Sequence, residues 1–313
     1  MSDIKLVVNP GTLITWDYFV STYSENAIAL DGYVHGGPRF TIDDRGQAKA
    51  NFNHHEDVSR LETRATCAQV LMAIRQGLME AFKDARGNAA FKIYVNDCDE
   101  DVCLSIFLLK NYFLVEKTMN PLINQLSAME DMLDTTAGAY AFPRDLPSLR
   151  KLMWVFEPYH RFRAAGALAK KDANEYRCII EDVGRRIMSF LVGGAESVEL
   201  DTRYEVCGGS PGWFLVQEVG AHSRLGMFAD GIKAFVSVRE RGNGVFDYVL
   251  GRISQFIPFN IPLLYEKLNE QEQCEGNDKW GGSDTIGGSP RSRGSRIPPQ
   301  ELATMIRSWL EQA

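Results

Sequence analysis

The stretch from Phe91 to Leu109 does most to limit what this chain can fold into. Phe91-Lys92-Ile93-Tyr94-Val95 is short and apolar, as a buried strand requires. Asn96-Asp97-Cys98-Asp99-Glu100-Asp101 follows directly, then Val102 and the apolar run Ile106 to Leu109 in a helix extending to about Tyr112. A strand that ends in hard oxygen donors and turns into an apolar helix is how an open α/β sheet builds a ligand site beyond the carboxyl ends of its strands. Three like charges at alternate positions repel one another and call for a counter-cation. In an extended segment, residues 97, 99 and 101 would project to one side.

The flanking pattern agrees with that architecture. Strands are expected at Lys5 to Val8, Ala27 to Leu30 and Arg39 to Ile42, with helices at Thr15 to Tyr23 and Thr63 to Ala85. Short apolar runs alternating with helical spacing predict a doubly wound, mainly parallel α/β sheet over residues 1–145. Helical periodicity then dominates, at Asn120 to Leu133, Leu146 to Phe156 and Asp172 to Leu191, and residues 146–196 are expected as a helical connector. From about Val198 the period changes to that of strands, so a smaller α+β domain is expected over 197–313, closed by a helix from Pro299 to Gln312. Gln271 to Arg296, poor in apolar residues, is expected as a long loop.

Charge and cysteine usage narrow the function. A net charge of -7 gives no general attraction to a long nucleic-acid duplex or an anionic membrane, so any polyanion must be held by a local basic patch or by metal. The six cysteines form no CxxC pair, which fits neither a zinc ribbon nor a disulfide framework and suits a reducing cytoplasm. No apolar run approaches the length of a membrane span, and the N-terminus lacks a secretory pattern.

Three further clusters stand out. Asn53-His54-His55-Glu56-Asp57 holds the one adjacent pair among five histidines, with acceptors on either side to orient the rings. Such a pair on a loop is commonly a surface feature; beside an acidic run it completes a donor set suited to Mn²⁺. Asp131-Met132-Leu133-Asp134-Thr135-Thr136-Ala137-Gly138 reads by itself as a helix terminus stopped by glycine. The Gly/Arg-rich loop 280–296, from Trp280 through Ile286-Gly287-Gly288-Ser289 to Arg296, offers close backbone approach and the guanidinium forks of Arg291 and Arg293 for phosphate. A disordered linker has a similar composition, but Trp280 and Ile286 are anchors a linker does not need.

Together these segments resemble the DHH superfamily of phosphoesterases. Asp97-x-Asp99-x-Asp101-Val-x-x-Ser105 is similar to its DxDxDGxxS motif, Asn53-His54-His55 to its Asp-His-His motif, Asp31 to its lone second-motif aspartate and Asp134-Thr135 to its Asp-Ser/Thr motif. Ile286-Gly287-Gly288-Ser289 resembles the glycine-rich GGH segment of its substrate domain. The order differs, since here the His-His segment precedes the acidic one, and Asn53, Val102 and Ser289 stand where the family has Asp, Gly and His. An alternative alignment takes Asn9-Pro10-Gly11-Thr12 as a degenerate first motif, which implies a metal-poor or inactive relative.

The resemblance implies a cytoplasmic, metal-dependent phosphoesterase using one or two Mn²⁺ or Mg²⁺ ions. Asp31, Asp97, Asp99, Asp101, His55 and Asp134 would hold metal; His54, His55 and Asp101 would act in catalysis through metal-activated water. Gly287, Gly288, Ser289, Arg291 and Arg293 would bind substrate. The expected partner is a small phosphorylated substrate or a short single-stranded oligonucleotide, and a homodimer is compatible with the sequence. The alternative is a catalytically inactive protein that binds or senses a nucleotide or phosphorylated metabolite.

Overall fold

The computed structural model describes residues 2–59, 62–138, 140–276 and 278–312. It is a mixed α/β protein with two mixed sheets. The chain divides into two compact units, the first of residues 1–135 and 147–198, the second of 136–146 and 199–313. The helices expected as a connector at 146–196 therefore belong with the first unit, because they bury their apolar faces there. No helix among the described residues is long and apolar enough to cross a membrane.

Unit 1 contains β1 (Asp3–Val8), α1 (Trp16–Thr22), β2 (Ala27–Leu30), β3 (Arg39–Ile42), β4 (Ala48–Phe52), α2 (Thr66–Arg75), α3 (Leu78–Ala81), β5 (Ala90–Val95), α4 (Glu100–Lys110), α5 (Pro121–Thr135), α6 (Pro147–Ala164) and α7 (Ala173–Leu191). Its strands run in the order β1-β5-β2-β4-β3; all neighbours are parallel except the β3–β4 edge pair. All four residues of β2 are buried, as expected of a central strand covered on both faces. Ala27, Ala29 and Tyr94 meet Phe19 of α1 and Tyr33 in one cluster. Ile28, Leu30, Ile93 and Val95 alternate to the opposite face. Helices α2, α4, α5 and α7 pack on one another. Every residue from Asp101 to Leu109 of α4 is buried, the pattern of a helix surrounded by protein.

Two local departures from the periodic reading have plain causes. The helix expected over 63–85 breaks into α2 and α3 at Gly77, whose φ of 97° is left-handed. Helix α6 runs through Pro158 instead of stopping, although proline leaves the Trp154 carbonyl without its helical donor. Arg186 of α7 donates to that carbonyl, pairs with Glu157 at 2.8 Å and lies 4.7 Å over the Trp154 ring. Arg186→Ala is expected to strand the carbonyl and lower unfolding stability by about 2 kcal/mol in urea titration, with an unchanged m-value.

Unit 2 contains β6 (Tyr204–Ser210), β7 (Trp213–Glu218), α8 (Ser223–Ala229), β8 (Ala234–Gly242), β9 (Val245–Arg252), α9 (Ile261–Gln271), β10 (Gly281–Gly282), β11 (Ile286–Gly288) and α10 (Pro299–Glu311). The sheet order is β10-β11-β9-β8-β7-β6, with only β7 and β8 parallel. The expected long loop is thus part of the sheet. Trp280 is 1% exposed, stacks on Tyr248 and donates its indole N–H to Glu272 at 2.6 Å, while Arg252 holds the Asp284 carbonyl at 2.7 Å.

Candidate metal centre

The parallel strands of unit 1 bring three loops to one edge of the sheet. β2 ends in Asp31, β4 runs into Asn53-His54-His55, and β5 leads through Asn96 to the acidic run; β5, β2 and β4 are neighbours in that order. Asn96, not singled out from the sequence, ties this edge together: its Nδ2 donates to the Thr12 carbonyl at 2.7 Å and the Gly32 carbonyl at 2.9 Å. Asp31 adopts φ 48°, a left-handed conformation that Asp tolerates better than most residues, and its amide is held by the Phe52 carbonyl at 2.8 Å.

His54 is the hub. It is fully buried, and its Nε2 lies 2.7 Å from Asp134 Oδ2, 3.4 Å from Asp31 Oδ1 and 3.7 Å from Asp101 Oδ2. His55, more exposed, places Nε2 2.9 Å from Asp31 Oδ1. Two overlapping donor groups result, Asp31-His54-His55 and His54-Asp101-Asp134, each with its ligand atoms within 4.8 Å of one another. Because the carboxylates gather about a single imidazole nitrogen, whose one lone pair can serve one ion, the groups overlap and are not two independent centres.

The expected ligands divide. Asp31, His55, Asp101 and Asp134 converge, with His54 added to the set. Asp97 and Asp99 belong to neither group: Asp97 Oδ1 accepts from Cys98 N at 2.7 Å, and Asp99 is the N-cap of α4, accepting from Val102 N at 2.9 Å. The 97-99-101 segment is not extended, because Asp101 already lies in the first turn of α4, so the expected projection to one side does not occur.

Asp101 does two jobs. Its oxygens accept from the backbone amides of Thr66 and Cys67 at 2.7 and 2.6 Å, and Asp131 accepts from Ala65 N at 2.7 Å. These carboxylates from α4 and α5 cap α2, which has no side-chain cap of its own. Asp131 joins the expected Asp134 through this capping bond, the two lying three residues apart on one face of α5.

Mutual attraction and repulsion among these groups set the electrostatics of the site. Burial pulls the His54 imidazole down, but Asp134 and Asp31 outweigh it and lift its pKa to about 10. Burial, with repulsion from Asp134 and Asp31, pushes Asp101 up to about 8, and Asp97 and Asp99 also rise through burial and neighbouring carboxylates. Burial opposes ionisation of Asp31, yet the two histidines hold its carboxyl well below the usual range. Neither ring nitrogen of His54, nor Asp134 Oδ2, completes a hydrogen bond of good geometry despite the short approach. Buried, convergent and incompletely satisfied nitrogen and carboxylate donors fit a divalent ion of the Mn²⁺ or Mg²⁺ class.

Asn53 does not act as a ligand. Its Nδ2 donates to the Val34 carbonyl at 3.2 Å, the Gly36 carbonyl at 3.1 Å and Glu56 Oε2 at 2.6 Å, while its Oδ1 accepts from His55 N at 3.0 Å. An aspartate has no donor to offer there. Asn53→Asp is therefore expected to destabilise the protein by roughly 2–4 kcal/mol, read by chemical unfolding, without strengthening ion binding.

The expected substrate residues lie in unit 2. A Cβ on Gly287 would come within 1.9 Å of the Tyr265 hydroxyl, and one on Gly288 within 2.4 Å of the Tyr248 carbonyl, so close packing alone accounts for both glycines. Ser289 Oγ accepts from Tyr248 N at 3.0 Å. Arg293 donates to Cys274 Sγ, and Arg291 is exposed in the turn after β11. No family model matches this chain, and a comparison with curated proteins gives no match either.

Proposed function

We propose that the protein is a metal-dependent phosphoesterase, a divergent relative of the DHH superfamily, that hydrolyses a nucleotide, short oligonucleotide or other small phosphate ester. The observation that carries this reading is the convergence of Asp31, His54, His55, Asp101 and Asp134 at the carboxyl ends of adjacent parallel strands. The reading takes unit 1 as doubly wound, with α1 on one face and α2 and α4 on the other, which makes that edge the place for a ligand. Six free cysteines accord with a cytoplasmic setting.

His54 with Asp31, Asp101 and Asp134 would hold one Mn²⁺ or Mg²⁺, and His55 with Asp31 offers donors toward a second. The bound ion supplies Lewis acidity, lowering the pKa of a water and offsetting charge on the phosphoryl oxygens. The chain's own contribution is rigidity. Thr66 Oγ1 donates to Asp31 Oδ1 at 3.0 Å, and the α2 amides fix Asp101, so the carboxylates are aimed before any ligand arrives.

Release of phosphate or mononucleotide from cyclic, oligonucleotide and polyphosphate substrates with Mn²⁺ tests the reading. Turnover that disappears in an Asp31→Asn, His55→Ala chain is expected. Equal rates in both chains would end it. The binding-only alternative has its own support, since the turn after β1 carries Asn9, which donates to the Tyr33 hydroxyl at 3.0 Å and offers no carboxylate. Saturable nucleotide binding without turnover would favour it.

A further inference from the structure

Among the described residues, two exposed cations of unit 1, Arg163 and Lys171, form no ion pair within 4 Å. Arg163 lies in the last turn of α6, and Lys171 sits just before Asp172, the cap of α7; both are exposed. Their neighbours are neutralised: Arg161 and Arg186 pair with Glu157, and Lys170 pairs with Glu175 at 3.3 Å. Among the described residues, no ion pair involves Arg163 or Lys171, in a chain of net charge -7.

Both are placed toward the metal centre's edge of the sheet. Lys171 has φ 51° where it ends the short 3-10 turn Ala167–Lys170, its N–H donating to the Leu168 carbonyl. Its ammonium lies over Gly11, where a Cβ would come within 2.7 Å of Nζ. Gly11 belongs to the turn after β1, and that turn is tied to the approach to Asp97: Asn9 N donates to the Val95 carbonyl at 2.9 Å and Gly11 N to the Asn96 carbonyl at 3.1 Å. Arg163 reaches the same side from α6. His160, three residues earlier and on the same helix face, meets Glu100 Oε1 at 2.6 Å in the first turn of α4. Burial raises Asp97, and the positive charge of Arg163 is among the influences that pull it back.

We propose that Arg163 and Lys171 form a subsite for a second phosphoryl group, so that the substrate places one phosphate at the metal centre and another beside the β1 turn. The inference rests on the phosphoesterase reading and narrows it to substrates with two phosphoryl groups, either a diphosphate or an oligonucleotide bearing a terminal phosphate. Arg offers a planar fork and Lys a mobile point charge, which together tolerate either source. A substrate with one phosphate leaves both cations unpaired and gains nothing from them.

Calorimetric binding to the Mn²⁺-loaded full chain tests this, using methylenediphosphonate against methylphosphonate, and a methylphosphonate-linked dinucleotide with and without a 5′-phosphate. The unaltered chain is expected to prefer the second phosphoryl group by about tenfold or more, a preference that falls with added salt. An Arg163→Gln, Lys171→Gln chain is expected to keep its methylphosphonate affinity and lose the preference. Whichever pair of probes shows the effect identifies the source of the second phosphate. Absence of the preference in the unaltered chain, or its survival in the double variant, overturns the subsite. Failure of the phosphoesterase reading is visible separately, as a lack of Mn²⁺ uptake or turnover in the unaltered chain.

Discussion

Replacing His54 with alanine is expected to abolish Mn²⁺-supported turnover, by at least about 10³-fold, or roughly 4 kcal/mol of transition-state stabilisation. The residue is shared by both donor groups, so among the described residues neither trio survives its loss. The same substitution leaves Asp31, Asp101 and Asp134 facing one another without the imidazole. Removing one partner of a buried charged cluster typically costs about 3–5 kcal/mol, so the ion-free variant should unfold at lower urea. The two effects separate: His54→Ala should also lose the rise in melting temperature that Mn²⁺ gives the unaltered protein, whereas a merely destabilised chain would retain it. Asn53→Asp supplies that contrast, being destabilised beside the site while keeping every converging donor.

The second large effect is on pH dependence. In the ion-free fold the His54 pKa lies at about 10 against an ordinary 6.5, and that of Asp101 at about 8 against 3.8. Both are raised, so the folded chain binds these protons more tightly than the unfolded chain does. Their contribution is complete below the ordinary values and is lost as pH rises through about 8 and then about 10. Asp31 runs the other way, its depressed pKa contributing above the ordinary carboxylate range and failing only in acid. With rising pH the ion-free protein should therefore lose stability by up to about 1.4 kcal/mol per pH unit for each proton, the Asp101 contribution falling away up to about pH 8 and the His54 contribution between about pH 6.5 and 10. Ion binding requires the same donors deprotonated, so Mn²⁺ should flatten or reverse that slope and release about one to two protons near pH 7. Urea midpoints measured with chelator and with Mn²⁺ across this range check the sign. A midpoint that climbs with pH in chelator would contradict it.

Much of unit 1 is legible in the sequence, and the parts that are not share a cause. Ala27 to Leu30 and Arg39 to Ile42 are strands at the expected limits, because apolar, β-branched runs bounded by turns report their own structure. Strand β4 does not. Ala48-Lys49-Ala50-Asn51-Phe52 has weak strand propensity, and its buried side chains donate to distant carbonyls, Lys49 Nζ to that of Glu25 at 2.5 Å and Asn51 Nδ2 to that of Gly36 at 2.9 Å. Helix α2 lacks a local start signal for the same reason, since its cap comes from Asp101 and Asp131.

The donor set was partly legible. Asp31, His54, His55 and Asp134 could be named by type and context, but the division of labour within Asp97-Asp99-Asp101 could not. Which carboxylate caps α4, which caps α2 and which also faces His54 depends on where α4 begins and on how α2 is docked, a tertiary property. The Gly-Gly-Ser segment shows the opposite limit: its glycines suggested a phosphate loop, and packing against Tyr248 and Tyr265 accounts for them.

The measurement that bears most directly on the metal centre is an anomalous difference map from crystals of the unaltered chain grown with Mn²⁺. The account predicts a peak at roughly 2.0–2.4 Å from a His54 ring nitrogen and from oxygens of the surrounding Asp31, Asp101 and Asp134 carboxylates. A crystal saturated with Mn²⁺ whose peaks all lie elsewhere, with the His54 imidazole still resting on Asp134, would contradict it.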